Sequence, residues 1–212
     1  MNMQSQPVRE PVAIIGAGGH CHVVVSIICA TMGEQYVEGI YDDRKEIQGS
    51  IVCGKTVKKT SEIIGNNWAV VAIGSNIARE KVVKRFASSL RWATLVHPTA
   101  WICKDVKIGA GSVVCAGAIV QPGASVGAHV ILNTGCRVDH HCKISEYVHI
   151  APSSTLCGNV CVKAKSFVGA GSVVRQGIVI ERESVIGCGS VVVKNVSAGL
   201  TVIGVPSRPI AK

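Results

Sequence analysis

The chain is dominated by a six-residue period that starts at Ile102 and does not slip before Ser197. Steps of six from Ile102 land on Ile108, Val114, Val120, Val126, Leu132, Val138, Ile144, Ile150, Leu156, Val162, Val168, Val174, Ile180, Ile186 and Val192, sixteen aliphatic residues without exception. Four residues after each comes a small or β-branched one, as at Ser112, Ala118, Cys136, Ser154 and Ser172. An amphipathic helix repeats at about 3.6 residues, and separate strands need turn signals at irregular spacing. A fixed hexad with glycine often following the apolar residue (Ile108-Gly109, Val126-Gly127, Val168-Gly169, Ile186-Gly187) instead predicts a parallel β-helix. Each hexad forms one flat side of a triangular prism, and coils stack at about 4.8 Å, the spacing of neighbouring strands. Three hexads make a coil of eighteen residues, so the repeat holds a little over five coils and residues eighteen apart lie above one another.

Composition agrees with a narrow interior. Of 212 residues 48% are hydrophobic but only 4% are Phe, Trp or Tyr, and within the repeat the only residues of these types are Tyr147 and Phe167. No apolar run reaches membrane-spanning length, and Met1–Arg9 is polar without the apolar segment of a secretion signal, which predicts a cytosolic protein with no membrane partner. Ten cysteines include no CxxC; Cys136 and Cys142 fall at the small interior position, and Cys103, Cys115 and Cys157 just after the aliphatic one. They read as reduced, small apolar residues. The net charge of +9 is spread over single Lys and Arg residues, without a nucleic-acid motif or a basic run, and suits small phosphorylated ligands.

From Pro11 to Pro98 the hexad is absent and the chain reads as a small α/β unit. Val12–Ile15 is a buried strand that runs into Gly16-Ala17-Gly18-Gly19-His20 and a helix to about Met32. Tyr36–Tyr41 is a second strand ending in Asp42-Asp43. Ala69–Ile73 is a third, ending at Gly74-Ser75-Asn76, with a helix from about Ala78 to Ser89. Strands alternating with helices predict a parallel sheet with helices on its faces. The expected architecture is an α/β domain over residues 1–98 and an all-β parallel β-helix over residues 99–212. Glycines between a first strand and a first helix let phosphate oxygens approach backbone N–H groups, and acids at the end of the second strand can meet a ribose or base. The pattern stops short of a full dinucleotide fingerprint, and the unit is too short for a full dinucleotide fold, so a mononucleotide moiety is the better match.

The histidines of the repeat are His129, His140, His141 and His149. His129 is expected to be inert. Asp139, His140 and His141 gather acid and imidazoles at one prism edge, and Gly158 lies one coil beyond His140. An imidazole beside a glycine N–H can serve as base and oxyanion donor. A metal site of the kind found in trimeric β-helix carbonic anhydrases needs His-x4-His spacing across coils, which His140, His141 and His149 do not provide, so no metal is expected.

Together these pieces resemble the bacterial sugar acyltransferases that include the sialic acid O-acetyltransferase NeuD and the N-acetyltransferases of UDP-linked 4-amino-4,6-dideoxysugars and GDP-perosamine. The resemblance rests on Gly16-Ala17-Gly18-Gly19-His20, Tyr41-Asp42-Asp43, Ala72-Ile73-Gly74-Ser75-Asn76 with Arg79, His97-Pro98, Asn133-Thr134-Gly135, Asp139-His140, Cys157-Gly158-Asn159 and Gly204-Val205-Pro206. It implies a left-handed β-helix, an exception to the usual right-handed crossover. It also implies an acetyl-CoA co-substrate, a homotrimer with sites between neighbouring prisms, and a nucleotide sugar held by the N-terminal domain. The implied reaction is acetylation of the 4-amino group of a UDP- or GDP-linked amino-dideoxysugar, serving lipopolysaccharide or other surface-glycan synthesis. O-acetylation of a sialic or related nonulosonic acid is the alternative, and a nonenzymatic trimeric scaffold a third.

By the same resemblance His140 is the general base, Gly158 the oxyanion donor and His149 a wall of the acceptor pocket. Gly16, Gly18, Gly19, His20, Asp42, Asp43, Ser75, Asn76, Arg79 and Asn133 would contact the nucleotide sugar. Gly158, Gly169, Gly187, Gly204 and Pro206 would line the groove for acetyl-CoA. Two positions depart from the family pattern. Where the family commonly has an acid after the catalytic histidine this chain has His141, which leaves Asp139 or a group from another coil to orient the ring. Where the family often has Lys two residues after the histidine of the glycine loop, this chain has His22.

Overall fold

A computed structural model describes residues 10–210; the polar Met1–Arg9 stretch lies outside the described residues. The N-terminal unit is built from β1 (Val12–Ile15), α1 (Gly19–Thr31), β2 (Val37–Tyr41), β3 (Ile51–Val52), β4 (Lys55–Lys58), β5 (Trp68–Val71), α2 (Asn76–Arg85) and β6 (Arg91–Trp92). Its sheet has the order β3-β4-β2-β1-β5-β6, parallel throughout except for the β3–β4 hairpin. β1 is central and buried along its whole length, as its unbroken apolar run requires. The second strand opens at Val37 because Tyr36 closes a 3₁₀ turn over Glu34–Tyr36. The third ends at Val71, which leaves Ala72–Ser75 as the loop that turns the chain into α2. That helix starts at Asn76, two residues ahead of the sequence expectation, because Ser75 Oγ accepts the N–H of Ala78 and caps it.

The prism begins one hexad upstream of Ile102. Leu95–Val96 pairs in parallel with Val113–Val114, followed at eighteen-residue steps by Ile131–Leu132, His149–Ile150, Phe167–Val168 and Val185–Ile186. This first face ends in Thr201–Gly204 and an antiparallel return over Ser207–Pro209. Trp101–Ile102 opens the second face and Lys107–Ile108 the third, each continuing by the same step. The aliphatic positions from Val114 to Val192 are buried. So are the small positions, including Cys136 and Cys142, and the serines there keep their hydroxyls bonded: Ser154 Oγ donates to Gly169 O at 2.7 Å and Ser172 Oγ to Gly187 O at 2.9 Å. The second turn residue of fourteen successive corners, from Gly111 to Gly189, is left-handed, with glycine at half of them and His129, His141, Tyr147 and Asn159 among the rest.

The two units share a core. Val24, Ile27 and Ile28 of α1 belong to the same buried cluster as Leu95, Val113 and Cys115 of the first prism face. No described helix is long and apolar enough to cross a membrane.

Candidate active site

A cavity of about 600 Å³ opens at the C-terminal ends of β1, β2 and β5. Its floor is the glycine loop. Gly16 has φ +108°, and a Cβ there would lie 2.6 Å from Ile73 Cγ1, so no other residue fits. Gly19 faces open space and Gly18 has only the Arg44 guanidinium near it, and α1 begins without a side-chain cap or an acid in its first turn, which leaves its positive end toward the cavity.

Asp42 and Asp43 both line the cavity, with carboxylate oxygens already bonded to protein groups. Asp42 Oδ2 accepts the N–H of Ala17 at 2.9 Å and the Arg44 guanidinium at 2.9 Å, fixing the glycine loop. Burial opposes its charge, but these bonds hold it below the usual carboxylate range. Asp43 accepts from the backbone and hydroxyl of Thr60 and from Arg85. The cavity's cations are therefore Arg44 and Arg85, both about half exposed, with Arg85 lying over the Phe86 ring. Sequence reasoning missed Arg44, Arg85 and Phe86; the one available signal was the position of Arg44 directly after the Asp pair.

Ser75, Asn76 and Arg79 do not line this cavity. Ser75 is the α2 cap, and Asn76 donates to Lys165 O and Ser166 O at 3.0 Å. Arg79 is 1% exposed and donates to the carbonyls of Ile73, Gly74, His129, Tyr147 and Val148 and to Asn76 Oδ1. Asn76 and Arg79 fasten the α/β unit to the corner between the third and first faces, and Ser75 fixes the start of the helix that carries them.

His149 lies beneath the same junction. Its Nδ1 is 3.3 Å from Gly74 O and its Nε2 is 3.1 Å from Asn133 Nδ2. A carbonyl only accepts, so Nδ1 carries the proton and Nε2 receives the amide. Burial first, and the Arg79 charge second, push His149 down to about 4, so the ring is neutral. His20, 6.4 Å away, is pushed to about 4 by the same causes, and its Nε2 has no hydrogen-bond partner among the described residues. His129 is buried between Trp92 and Tyr147, away from the cavity.

His140 and His141 occupy the corner between the second and third faces, opposite the face that carries the α/β unit. The eighteen-residue step places Gly158 beside His140: a Cβ on Gly158 would lie 2.5 Å from His140 Nε2. The imidazole thus occupies the space a side chain would take. Among the described residues the N–H of Gly158 has no hydrogen-bond partner, whereas that of Asn159 bonds His140 O. Asp139 does not touch the ring; its Oδ1 accepts the backbone N–H of His140 at 2.7 Å, as Asn133 Oδ1 does for Thr134. The ring instead meets His141, with the two Nδ1 atoms 3.0 Å apart. Among the described residues no three His, Cys, Asp or Glu side chains converge as a metal-ligating group.

Gly169 and Gly187 lie at a different edge, where the first face turns toward the second. Stacking alone requires glycine there: a Cβ on Gly169 would lie 2.6 Å from Cys188 N, and one on Gly187 2.5 Å from Ile203 Cγ2. Gly204 and Pro206 form the turn at the end of the same face.

Residues 11–86 match the PglD N-terminal domain family. Over nearly its whole length the chain is similar to the acetyltransferase domain of PglB from Neisseria gonorrhoeae FA1090, with 33% identity and a TM-score of 0.86, covering 96% of this chain and 100% of that one. That domain has also been solved with acetyl coenzyme A. PerB from Caulobacter crescentus, solved with CoA and GDP-perosamine, is 29% identical with a TM-score of 0.84 over 96% of this chain and 99% of its own. A GDP-perosamine N-acetyltransferase of Escherichia coli O157:H7 is 27% identical over 210 residues, 92% of this chain and 94% of that protein.

Proposed function

Because this chain belongs to the left-handed β-helix sugar acyltransferases, we propose that it transfers an acetyl group from acetyl-CoA to the amine of a nucleotide-linked amino-dideoxysugar. Residues 1–98 hold the nucleotide sugar and residues 99–212 carry out transfer. The nucleotide sits on the glycine loop, its phosphates toward the start of α1 and Arg44. His140 Nε2 takes a proton as the amine attacks the thioester carbonyl, and the N–H of Gly158 receives the developing oxyanion. Nitrogen–carbon bond formation expels CoA thiolate, and the proton held by His140 neutralises it.

The observation that carries this reading is the seating of the His140 ring on Gly158, base and free donor side by side on adjacent coils. The cavity and this pair lie on opposite sides of one prism. A neighbouring prism is needed to bring an acceptor to His140, which supports a homotrimer with sites between subunits. The glycines at the other prism edge then reach the same cleft from the neighbour and take the pantetheine arm. We place the enzyme in the cytoplasm, in surface-glycan synthesis.

The test is CoA release with acetyl-CoA and a panel of UDP-, GDP-, dTDP- and CMP-linked sugars, followed by mass spectrometry of the product. An alkali-stable amide from a UDP- or GDP-amino sugar is expected. An alkali-labile ester from a nonulosonic acid would replace the acceptor assignment. No release with any acceptor would overturn the reading.

A further inference from the structure

The eighteen-residue column through His141 contains Asp105 and Gly123 on the two coils before it. His140 leans forward onto Gly158, whereas His141 leans back: a Cβ on Gly123 would lie 2.9 Å from His141 Cδ2 and 3.1 Å from its Nε2. The far edge of the His141 ring therefore rests on Gly123. On the same glycine, Asp105 Oδ2 accepts the backbone N–H at 2.6 Å. The thiol of Cys103, that N–H and the His141 imidazole all hold the Asp105 carboxyl below its usual range. On the same coil Asp139 is engaged by His140 N, and the thiol of Cys142 donates to Cys157 O on the coil after.

We propose that Asp105, acting through His141, fixes the tautomer and orientation of His140. Only one of two Nδ1 atoms 3.0 Å apart can donate to the other. A base working through His140 Nε2 must carry its resting proton on Nδ1 and donate it to His141 Nδ1. His141 then bears its own proton on Nε2, the edge that rests on Gly123; it forms no ion pair with Asp105, whose charge acts from the other side of that glycine and favours the proton there. When His140 gains a second proton, the anion at Asp105 stabilises the imidazolium through the intervening ring; no proton travels along the column. Asp105 and His141 are positioning residues, and only His140 meets the acceptor. This inference rests on the acetyl-transfer reading for its kinetic consequence but not for the tautomers themselves.

The experiment has two arms. Long-range proton–nitrogen spectra of ¹⁵N-histidine-labelled full-length protein at about neutral pH should show His140 as the Nδ1–H form and His141 as the Nε2–H form. The reverse pair would overturn the proposal even if no acceptor has been found. In the kinetic arm, Asp105→Asn keeps an acceptor for Gly123 N–H but removes the charge. It should lower kcat about tenfold, leave both KM values within about twofold, and move the acid limb of the kcat profile to lower pH. His141→Gln offers His140 an acceptor that ignores Asp105, so adding Asp105→Asn to it should change kcat less than about twofold. An equal loss from Asp105→Asn in both backgrounds would reduce Asp105 to a support for Gly123 and overturn the relay. Should Asp105→Asn fail to fold, the wild-type tautomers decide alone.

Discussion

Arg79 Nη2 donates to Tyr147 O at 2.9 Å, joining residues 68 positions apart and locking α2 to a corner of the prism. The guanidinium stays charged because even burial brings it down only to about 10. It has no carboxylate partner among the described residues; backbone carbonyls and one amide oxygen satisfy it. Arg79→Met should lower unfolding free energy by about 3 kcal/mol or more, since several buried carbonyls lose their donor at once. Arg79→Lys should not rescue it, because one ammonium cannot reproduce a planar fork. Urea midpoints for the two variants check this; a midpoint shift equivalent to less than about 1 kcal/mol would mean that water replaces the side chain.

Acid should weaken the same junction. His20, His129 and His149 titrate near 4 in the folded chain against an ordinary 6.5, because burial and then the Arg79 charge disfavour their protonation. The unfolded chain binds these protons from about pH 6.5 downward and the folded chain only near pH 4. Their contribution is fully present above about pH 6.5 and is lost as pH falls toward 4, with a limiting slope of about 1.4 kcal/mol per pH unit per histidine. Denaturant unfolding between about pH 7.5 and pH 5.5 should show that decline, with a slope about one third smaller in His149→Phe. A flat profile would show that the rings accept protons when folded.

Removing the base should be costly in rate and cheap in structure. His140→Ala is expected to lower kcat by about 10²–10⁴-fold with little change in acetyl-CoA affinity. Gly158→Ala leaves the backbone N–H in place but sets a methyl group where the His140 ring lies. It should therefore lower kcat at least tenfold or so while the melting temperature changes little. Wild-type turnover in Gly158→Ala would separate the ring's seat from its function.

Arg44 tests the assignment of the cavity. Its Nη2 would lie 4.0 Å from a Cβ on Gly18, at the mouth of the loop. Arg44→Gln should raise the KM for the nucleotide sugar about tenfold, the loss of one charge-assisted contact, with the KM for acetyl-CoA unchanged. Initial rates with each substrate varied in turn decide it. A change confined to acetyl-CoA would exchange the roles of the two units.

The prism was legible because one rule generates it. Once the period is six, the strands, the interior residues and the stacking of His140 beneath Gly158 follow by counting, and the prism keeps that register without interruption. The rule failed first at its edge. The opening hexad at Leu95–Val96 follows the same pattern, with Ala100 at the small position, but His97-Pro98 reads as a boundary and hides it; it pairs with the next coil as the others do. In the α/β unit, β1 and α1 were readable from their apolar run and glycine start, but the β3–β4 hairpin is too short and too exposed to show a pattern. Arg79 was illegible as a clamp for another reason. Its partners are backbone carbonyls distant in sequence, and neither periodicity nor local motif encodes a carbonyl supplied by the prism.

Strict eighteen-residue stacking also governs how such a chain can change length. A single inserted residue within a coil would turn every later interior side chain outward. A whole coil inserted before Asp105 or after Gly177 would leave the column from Asp105 to Asn159, and the His140–Gly158 contact, untouched. Length can therefore vary only in units of three hexads without cost to the chemistry. The α/β unit, clamped to corner residues Tyr147 and Lys165, sets the reference height from which every added coil is measured.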